Sequence, residues 1–151
     1  MLELAAKNGD LFGSYGLGVK HPNLSRQRCD LCIGAPDHWR WAIEFKMLRL
    51  LGDNGGLNDN MLMHILSPYS QHRSALTDCQ KLLDSGFESR IAIAIFGYDA
   101  PGWPLEDAIA AFEALASRWV HLGQRVDERF TGLQHPVHCS GSVYAWEIER
   151  S

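Results

Sequence analysis

Residues 28–47 read RCDLCIGAPDHWRWAIEFKM, two short apolar runs on either side of a turn. The runs cover residues 27–33 and 39–47, and the segment between them, residues 34–38, contains glycine, proline and aspartate. Glycine and proline interrupt strands, and aspartate favours turns. The stretch therefore predicts a β-hairpin.

The charged side chains of this hairpin are predicted to share one face, because side chains alternate between the two faces of a strand. One face of the second strand carries Ile43, Phe45 and Met47. The other face carries Ala42, Glu44 and Lys46. The first of these faces is apolar and can pack on a core. The opposite face then presents Glu44 and Lys46 beside Asp30 of the first strand, which points the same way as Arg28 and Cys32.

Length and composition indicate one domain, residues 1–151, with an ordinary globular mixture of 46% hydrophobic and 21% charged residues. The net charge of −4 weighs against tight binding of a nucleic-acid duplex by a monomer. No apolar run approaches the roughly 20 residues that span a bilayer, and the first residues do not resemble a secretory signal. We therefore expect a cytoplasmic location, no membrane contact and four free thiols.

The rest of the chain alternates predicted helices and strands. Helices are expected at residues 1–9, 74–85 and 104–120, and strands at 90–98, 126–133 and 142–149. Residues 90–98 are almost entirely apolar, as in a central strand that is buried on both faces. This order predicts a central mixed β-sheet flanked by helices, on the border between α/β and α+β.

Asp30, Glu44 and Lys46 are the strongest candidates for a functional site. Two carboxylates on adjacent strands can converge on one hard cation such as Mg²⁺ or Mn²⁺, which prefers oxygen ligands. Such an ion can orient a phosphodiester and lower the pKa of an attacking water. Lys46 can position that water or stabilise developing charge. The alternative is a solvent-exposed hairpin with ordinary cross-strand ion pairs.

An acid in one strand followed by the run WAIEFKM in the next resembles the signature of the PD-(D/E)XK nucleases, the restriction-endonuclease-like superfamily. The order of elements over residues 1–120 is also similar to that family's αβββαβ core. The resemblance implies a metal-dependent nuclease, with DNA as the expected substrate and Asp30, Glu44 and Lys46 as the active-site set.

Further site residues follow from the same resemblance. Many members add an acid from the first helix, for which Glu3 is the candidate metal ligand here. Some members place a glutamine in the helix after the lysine strand, and Gln80 matches that location. Pro36-Asp37 spells the family's dipeptide, but it falls in the predicted turn, so Asp30 is preferred over Asp37.

Two polar segments are also candidates for substrate contact. Asn54 belongs to residues 53–60, a loop rich in aspartate, asparagine and glycine that is either a plain surface loop or faces the substrate. Arg73 precedes a predicted helix and can contact phosphate. Asp78, on that helix, either reaches the site or is solvated, and the solvated position is the expected one.

Zinc binding and a purely binding role are the alternatives to a nuclease. Cys29 and Cys32 are predicted to point to opposite faces of a strand, so they do not suit a zinc knuckle. The loop around His135, His138 and Cys139 has better spacing, yet buried cysteines and loop histidines account for the same pattern. A non-catalytic nucleic-acid or protein binding module on the same fold is the second hypothesis. Under either hypothesis a homodimer is a candidate assembly, because dimerisation would extend the binding surface of an acidic monomer.

Overall fold

The structure, a computed structural model, describes residues 13–58 and 60–150. It begins with three antiparallel strands: β1 (Tyr15–Lys20), β2 (Arg28–Ala35) and β3 (His38–Arg49). The hairpin predicted from residues 27–47 is therefore confirmed. Gly34 has a φ of 122° where the β2–β3 register shifts, and a Cβ there would lie 2.7 Å from the His38 carbonyl oxygen. The predicted helix over residues 1–9 lies outside the described residues.

The second half of the chain alternates helices with strands, as expected. The elements in order are α1 (Met63–Leu66), a 3₁₀ turn (Ser70–His72), α2 (Ala75–Asp84), β4 (Arg90–Tyr98), α3 (Leu105–Ala116), β5 (His121–Leu122), β6 (Val126–Phe130) and β7 (Gly141–Glu149). The helices predicted around residues 74–85 and 104–120 and the three later strands are all present. None of the helices in the described ranges is long and apolar enough to cross a membrane.

All seven strands belong to one mixed sheet in the order β1-β2-β3-β4-β7-β5, with β6 also paired to β7. Only β3 and β4 run parallel among these pairs, and the helix α2 lies in the connection between them. A right-handed helical crossover is the usual way to join parallel neighbours. The chain is therefore a mixed α+β protein, in agreement with the predicted class.

The core lies between the helices and one face of the sheet. Ile93 of β4 and Trp146 of β7 are almost completely buried there, together with Phe112 of α3. On β3 this face carries Ala42 and Leu48, both fully buried.

The expectation that Ile43, Phe45 and Met47 form the core-facing side of β3 was wrong. Met47 is 48% exposed, whereas Glu44 is 2% exposed. The reason is the parallel register with β4, which sets Glu44 beside the buried Ile93 on the side that α2 covers. The polar face of the hairpin is thus the covered face, and its charges must be satisfied inside the protein.

Ser74 fixes the start of α2. Its Oγ accepts a hydrogen bond from the Thr77 amide at 3.2 Å and donates to the Ser67 carbonyl at 2.5 Å, and the side chain is fully buried. We expect Ser74→Ala to lower the free energy of unfolding by about 1–2 kcal/mol, because a helix cap and a buried hydrogen bond are both lost.

Chemical denaturation followed by circular dichroism measures that change. Ser117→Ala is the matched control, since Ser117 is exposed and its hydroxyl only donates to the Ala114 carbonyl at the end of α3. Equal stability losses in the two variants would contradict a capping role for Ser74.

Candidate functional site

Glu44 is the most unusual residue of the sheet, a carboxylate buried in the middle of β3. Its Oε1 lies 2.8 Å from Lys81 Nζ and 3.4 Å from His21 Nε2. Burial raises the pKa of Glu44 to about 8, although the neighbouring Lys81 favours the charged form. A buried carboxyl group with a strongly raised pKa is typical of a functional site. Burial of an ionisable group costs folding free energy, so such a group is usually kept for a purpose.

Lys46 and Lys81 share a second buried carboxylate, Asp78. Asp78 Oδ2 lies 2.7 Å from Lys46 Nζ, and Asp78 Oδ1 lies 3.2 Å from Lys81 Nζ. Asp78 is only 3% exposed, so the expectation that it is solvated was wrong. Two acids and two lysines therefore form one partly buried network, in which each lysine ammonium has at least one carboxylate partner.

The helix α2 supplies half of this network. Asp78 and Lys81 are three residues apart and so project from neighbouring positions on one side of the helix. That side lies over β3, because the buried residues Leu76, Cys79 and Leu82 hold α2 against the sheet. The sequence thus places an acid and a base directly above Glu44 and Lys46.

Asp30 lies on β2 and is exposed. Its Oδ2 accepts a hydrogen bond from the Phe45 amide at 2.8 Å. The β2–β3 ladder runs from Leu31 paired with Ile43 to Ala35 paired with His38, so it stops short of Asp30. The Asp30 carboxylate therefore replaces a backbone carbonyl as the acceptor for the β3 amide that follows Glu44. Its negative charge also raises the pKa of Glu44, in addition to the effect of burial.

The same irregularity turns Cys29 inward, and the prediction that Cys29 and Cys32 face opposite sides was wrong. Both are fully buried, and the Cys32 thiol, together with burial, raises the pKa of Cys29. Cys29 Sγ lies 3.3 Å from the Ile43 carbonyl oxygen on β3. Strict alternation fails here because the strand leaves its regular ladder at this point.

A cavity of about 860 Å³ opens beside these groups, and Asp30, Glu44 and Lys46 all line it. Asp78 and Lys81 line it as well. The structure therefore brings the three residues predicted from the hairpin into one solvent-accessible space, between β2, β3 and α2.

The entrance of the cavity carries exposed charges of both signs, three arginines beside the acids Asp30 and Asp84. Arg26, Arg28 and Arg73 contribute to its lining. Arg28 donates a hydrogen bond to the Gly18 carbonyl at 2.8 Å. Within the described part of the chain, neither Arg26 nor Arg73 forms an ion pair with a carboxylate, so both guanidinium groups are available to an anion.

The other predicted site residues fall in different places. Gln80 lines the cavity and its amide donates to the Asp84 carboxylate at 3.2 Å. Asn54 belongs to a separate loop, where its side chain accepts a hydrogen bond from the Gly56 amide, and it does not line the cavity. Asp37 is an exposed turn residue between β2 and β3. Glu3 lies outside the described residues.

The two remaining loops of interest contact each other away from this cavity. His138 Nε2 and His135 Nε2 lie 3.3 Å and 3.8 Å from Asp53 Oδ1, and the two rings stack at 4.8 Å. His135 Nδ1 accepts hydrogen bonds from the Val137 and His138 amides, which leaves Nε2 to carry the ring proton. This arrangement ties the loop after β3 to the loop before β7.

Sequence reasoning missed His21 as a site residue and preferred a solvated Asp78 over one that reaches the site. Lys81 was also missed. Asp78 and Lys81 carry a weak signal, namely an acid and a base three residues apart beside an apolar helical stripe. His21 has no such signal, because it lies in a polar connection between β1 and β2, and only the fold shows that it is 1% exposed.

Carboxylate oxygens line the cavity, but Asp30, Glu44 and Asp78 do not form one compact group of ligands. Among the described residues, the group of at least three His, Cys, Asp or Glu residues whose ligand atoms all lie within 4.8 Å of one another is His21, Cys29 and Glu44. Glu44 Oε1 and Asp78 Oδ2 are buried without a well-formed hydrogen bond, although each lies close to a lysine ammonium. Asp30 adds a further carboxylate on the solvent side. Carboxylate oxygens are the ligands that Mg²⁺ and Mn²⁺ prefer, so Asp30 and Glu44 are the candidate ligands if such an ion binds in the cavity.

Comparison with models of known protein families, with curated proteins and with solved structures gave no match to this chain.

Proposed function

We propose that the chain is a metal-dependent nuclease-like protein of the PD-(D/E)XK type that hydrolyses phosphodiester bonds, with DNA as the expected substrate. The observation that carries the proposal is the convergence of Asp30, Glu44 and Lys46 on one cavity with arginines at its entrance. Three antiparallel strands, a helix and a strand parallel to the third also resemble the αβββαβ core of that superfamily.

Each residue has a distinct role in this proposal. Asp30 and Glu44 would hold the divalent cation, which would supply Lewis acidity and lower the pKa of the attacking water. Lys46 orients the attacking water or offsets charge on the phosphorus. Asp78, 2.7 Å from the Lys46 ammonium, fixes the direction of that side chain.

Substrate binding is assigned to the entrance of the cavity. Arg26, Arg28 and Arg73 suit phosphate groups, since guanidinium donors recognise phosphate oxygens well. These local cations offset the net charge of −4 where the backbone of a nucleic acid would lie. A homodimer would extend this surface, and it stays a prediction.

A non-catalytic binding module is the second candidate, and one contact favours it. Lys81 Nζ lies 2.8 Å from Glu44 Oε1, where it already neutralises the carboxylate that the metal would need. In that case the network is a structural cross-link, and the arginines at the entrance bind an anionic partner without turnover.

The direct test of the proposal is cleavage by the purified chain. We expect labelled DNA to be cut in the presence of Mg²⁺ or Mn²⁺ and to stay intact in EDTA, because the proposed mechanism relies on the cation to activate the water. Single- and double-stranded DNA and RNA are compared in gel assays. Absence of cleavage with all four substrates and both metals would refute catalysis, and gel-shift binding by the same protein would then support the second candidate.

A further inference from the structure

Behind the cavity, three buried side chains of different chemistry meet: His21 from the β1–β2 connection, Cys29 from β2 and Glu44 from β3. One ligand atom from each of them, an imidazole nitrogen, a sulfur and a carboxylate oxygen, all lie within 4.8 Å of one another. The three residues are 1%, 0% and 2% exposed. Nitrogen and sulfur donors together are characteristic of sites for zinc and similar transition metals.

His21 is the residue that most needs an explanation. Among the described residues neither ring nitrogen has a hydrogen-bond partner, although the side chain is almost fully buried. Buried polar groups are nearly always hydrogen-bonded, and an orphaned imidazole costs folding free energy. Packing holds the ring in this position, because it lies edge-on against Phe87 with the ring centroids 5.3 Å apart.

The spacing between His21 and Glu44 suits a shared metal ion better than a hydrogen bond. His21 Nε2 lies 3.4 Å from Glu44 Oε1, longer than the usual separation in a charged hydrogen bond. Two ligand atoms that are each about 2.1 Å from a tetrahedral ion lie roughly 3.4 Å apart. The two side chains therefore already stand at the separation that a zinc ion between them requires.

The protonation state of the site is compatible with this role. Burial, followed by the positive charge of Lys81, lowers the pKa of His21, which keeps the imidazole in the neutral form that ligates metals. The Cys29 thiol is protonated and donates toward the Ile43 carbonyl, so metal binding must release that proton. On metal binding, Lys81 would lose its ion pair with Glu44 and retain its ion pair with Asp78, whose Oδ1 lies 3.2 Å from the Lys81 ammonium.

We propose that His21, Cys29 and Glu44 form a binding site for one thiophilic divalent transition-metal ion, with Zn²⁺ as the expected occupant. Three protein ligands leave a fourth tetrahedral position for water. This site is distinct in chemistry from the oxygen site proposed above, and Glu44 belongs to both. The inference does not rest on nuclease activity, because its tests follow the metal itself.

Co²⁺ titration of reduced, metal-free protein tests the site, since tetrahedral Co²⁺ reports its ligands in the visible and near-ultraviolet spectrum. We expect one Co²⁺ per chain, a thiolate-to-cobalt charge-transfer band, and displacement of the spectrum by Zn²⁺. In Cys29→Ser the charge-transfer band should be absent. In His21→Gln the apparent affinity should fall at least about tenfold, because loss of even an outer-shell partner costs that much.

Two further cysteines provide matched controls. Cys32→Ser removes the neighbouring buried thiol, and Cys139→Ser removes the exposed thiol beside His135 and His138. Both variants should keep the band. A band that disappears in either control, or persists unchanged in Cys29→Ser, would overturn the assignment.

X-ray absorption of the zinc-loaded native chain needs no variant and decides the case if a substituted protein does not fold. One sulfur and two or three nitrogen or oxygen neighbours would support the site. Two sulfur neighbours, none, or no stoichiometric zinc uptake would overturn it.

Discussion

Glu44→Gln should reduce Mg²⁺-dependent cleavage to the background level, and Lys46→Met should reduce it by about 10²–10³-fold. Glutamine keeps the shape of Glu44 but has no charge for a divalent cation, so the oxygen site loses one of its two carboxylate ligands. Methionine keeps most of the length of Lys46 and removes the ammonium that would act on the water or the phosphorus. Initial rates of plasmid cleavage, with both proteins at saturating Mg²⁺, measure the two effects.

The glutamine variant is expected to fold, which makes its loss of activity informative. Because burial raises the pKa of Glu44 to about 8, much of the carboxyl is already neutral at neutral pH when no metal is bound. Glutamine resembles that neutral form. Circular dichroism and thermal unfolding verify the fold before activity is compared.

Exposed residues of the same types supply the controls. Glu88→Gln and Lys20→Met change an exposed acid and an exposed lysine that do not line the cavity, and both should leave the rate unchanged. Full activity in Glu44→Gln would contradict the proposed role of Glu44 and point to a contaminating nuclease. Equal losses in the control variants would contradict a specific role for Glu44 and Lys46.

Local sequence patterns sufficed for the hairpin and for the strand β4, because each depends on neighbours in the chain. The turn at residues 34–38 and the apolar run over Arg90–Tyr98 specify their structures without long-range contacts. The grouping of Asp30, Glu44 and Lys46 followed from the pairing of two adjacent strands. Their common cavity agrees with that grouping.

The environment of these residues was not predictable in the same way. Which face of β3 is covered depends on the parallel pairing with β4 and on the placement of α2, both of which are set by contacts far apart in sequence. Asp78 and Lys81 reach the site only through that docking. Cys29 turns towards Glu44 where β2 leaves its ladder with β3 near Asp30, and the β1–β2 connection brings His21 to the same place. The predicted hairpin therefore identified Asp30, Glu44 and Lys46 on one side of the cavity. Long-range packing placed Asp78 and Lys81 of α2 opposite them.

Lys81→Met should lower the free energy of unfolding by about 2–4 kcal/mol at pH 8–9. Removal of one partner of a buried ion pair strands the other charge, which costs about 3–5 kcal/mol when both groups are fully buried. The loss is smaller here because Lys81 is 19% exposed and Asp78 keeps Lys46 as a partner. Urea denaturation measures the change. Arg129→Met is the control, since Arg129 and Asp99 form an exposed pair, for which about 0–1 kcal/mol is expected.

The loss in Lys81→Met should also depend on pH. The pKa of native Glu44 is raised, so the neutral carboxyl is favoured by folding, and its contribution is present at low pH and lost as the pH rises through about 8. Without Lys81 the charged form is opposed even more strongly. The variant should therefore differ less from the native chain at pH 6 than at pH 9, and a difference that is constant with pH would contradict a direct effect on Glu44.

Mg²⁺ then separates the two candidate functions. If Glu44 and Asp30 are metal ligands, removal of the Lys81 ammonium frees Glu44 Oε1, and millimolar Mg²⁺ should raise the melting temperature of Lys81→Met more than that of the native chain, because a ligand that binds only the native state stabilises it. If the network is only a structural cross-link, Mg²⁺ should leave both melting temperatures unchanged. In the first case Lys81 is the cation that neutralises Glu44 until a metal ion binds. In the second case Lys81 is the permanent counter-ion of Glu44 in a protein that does not catalyse a reaction.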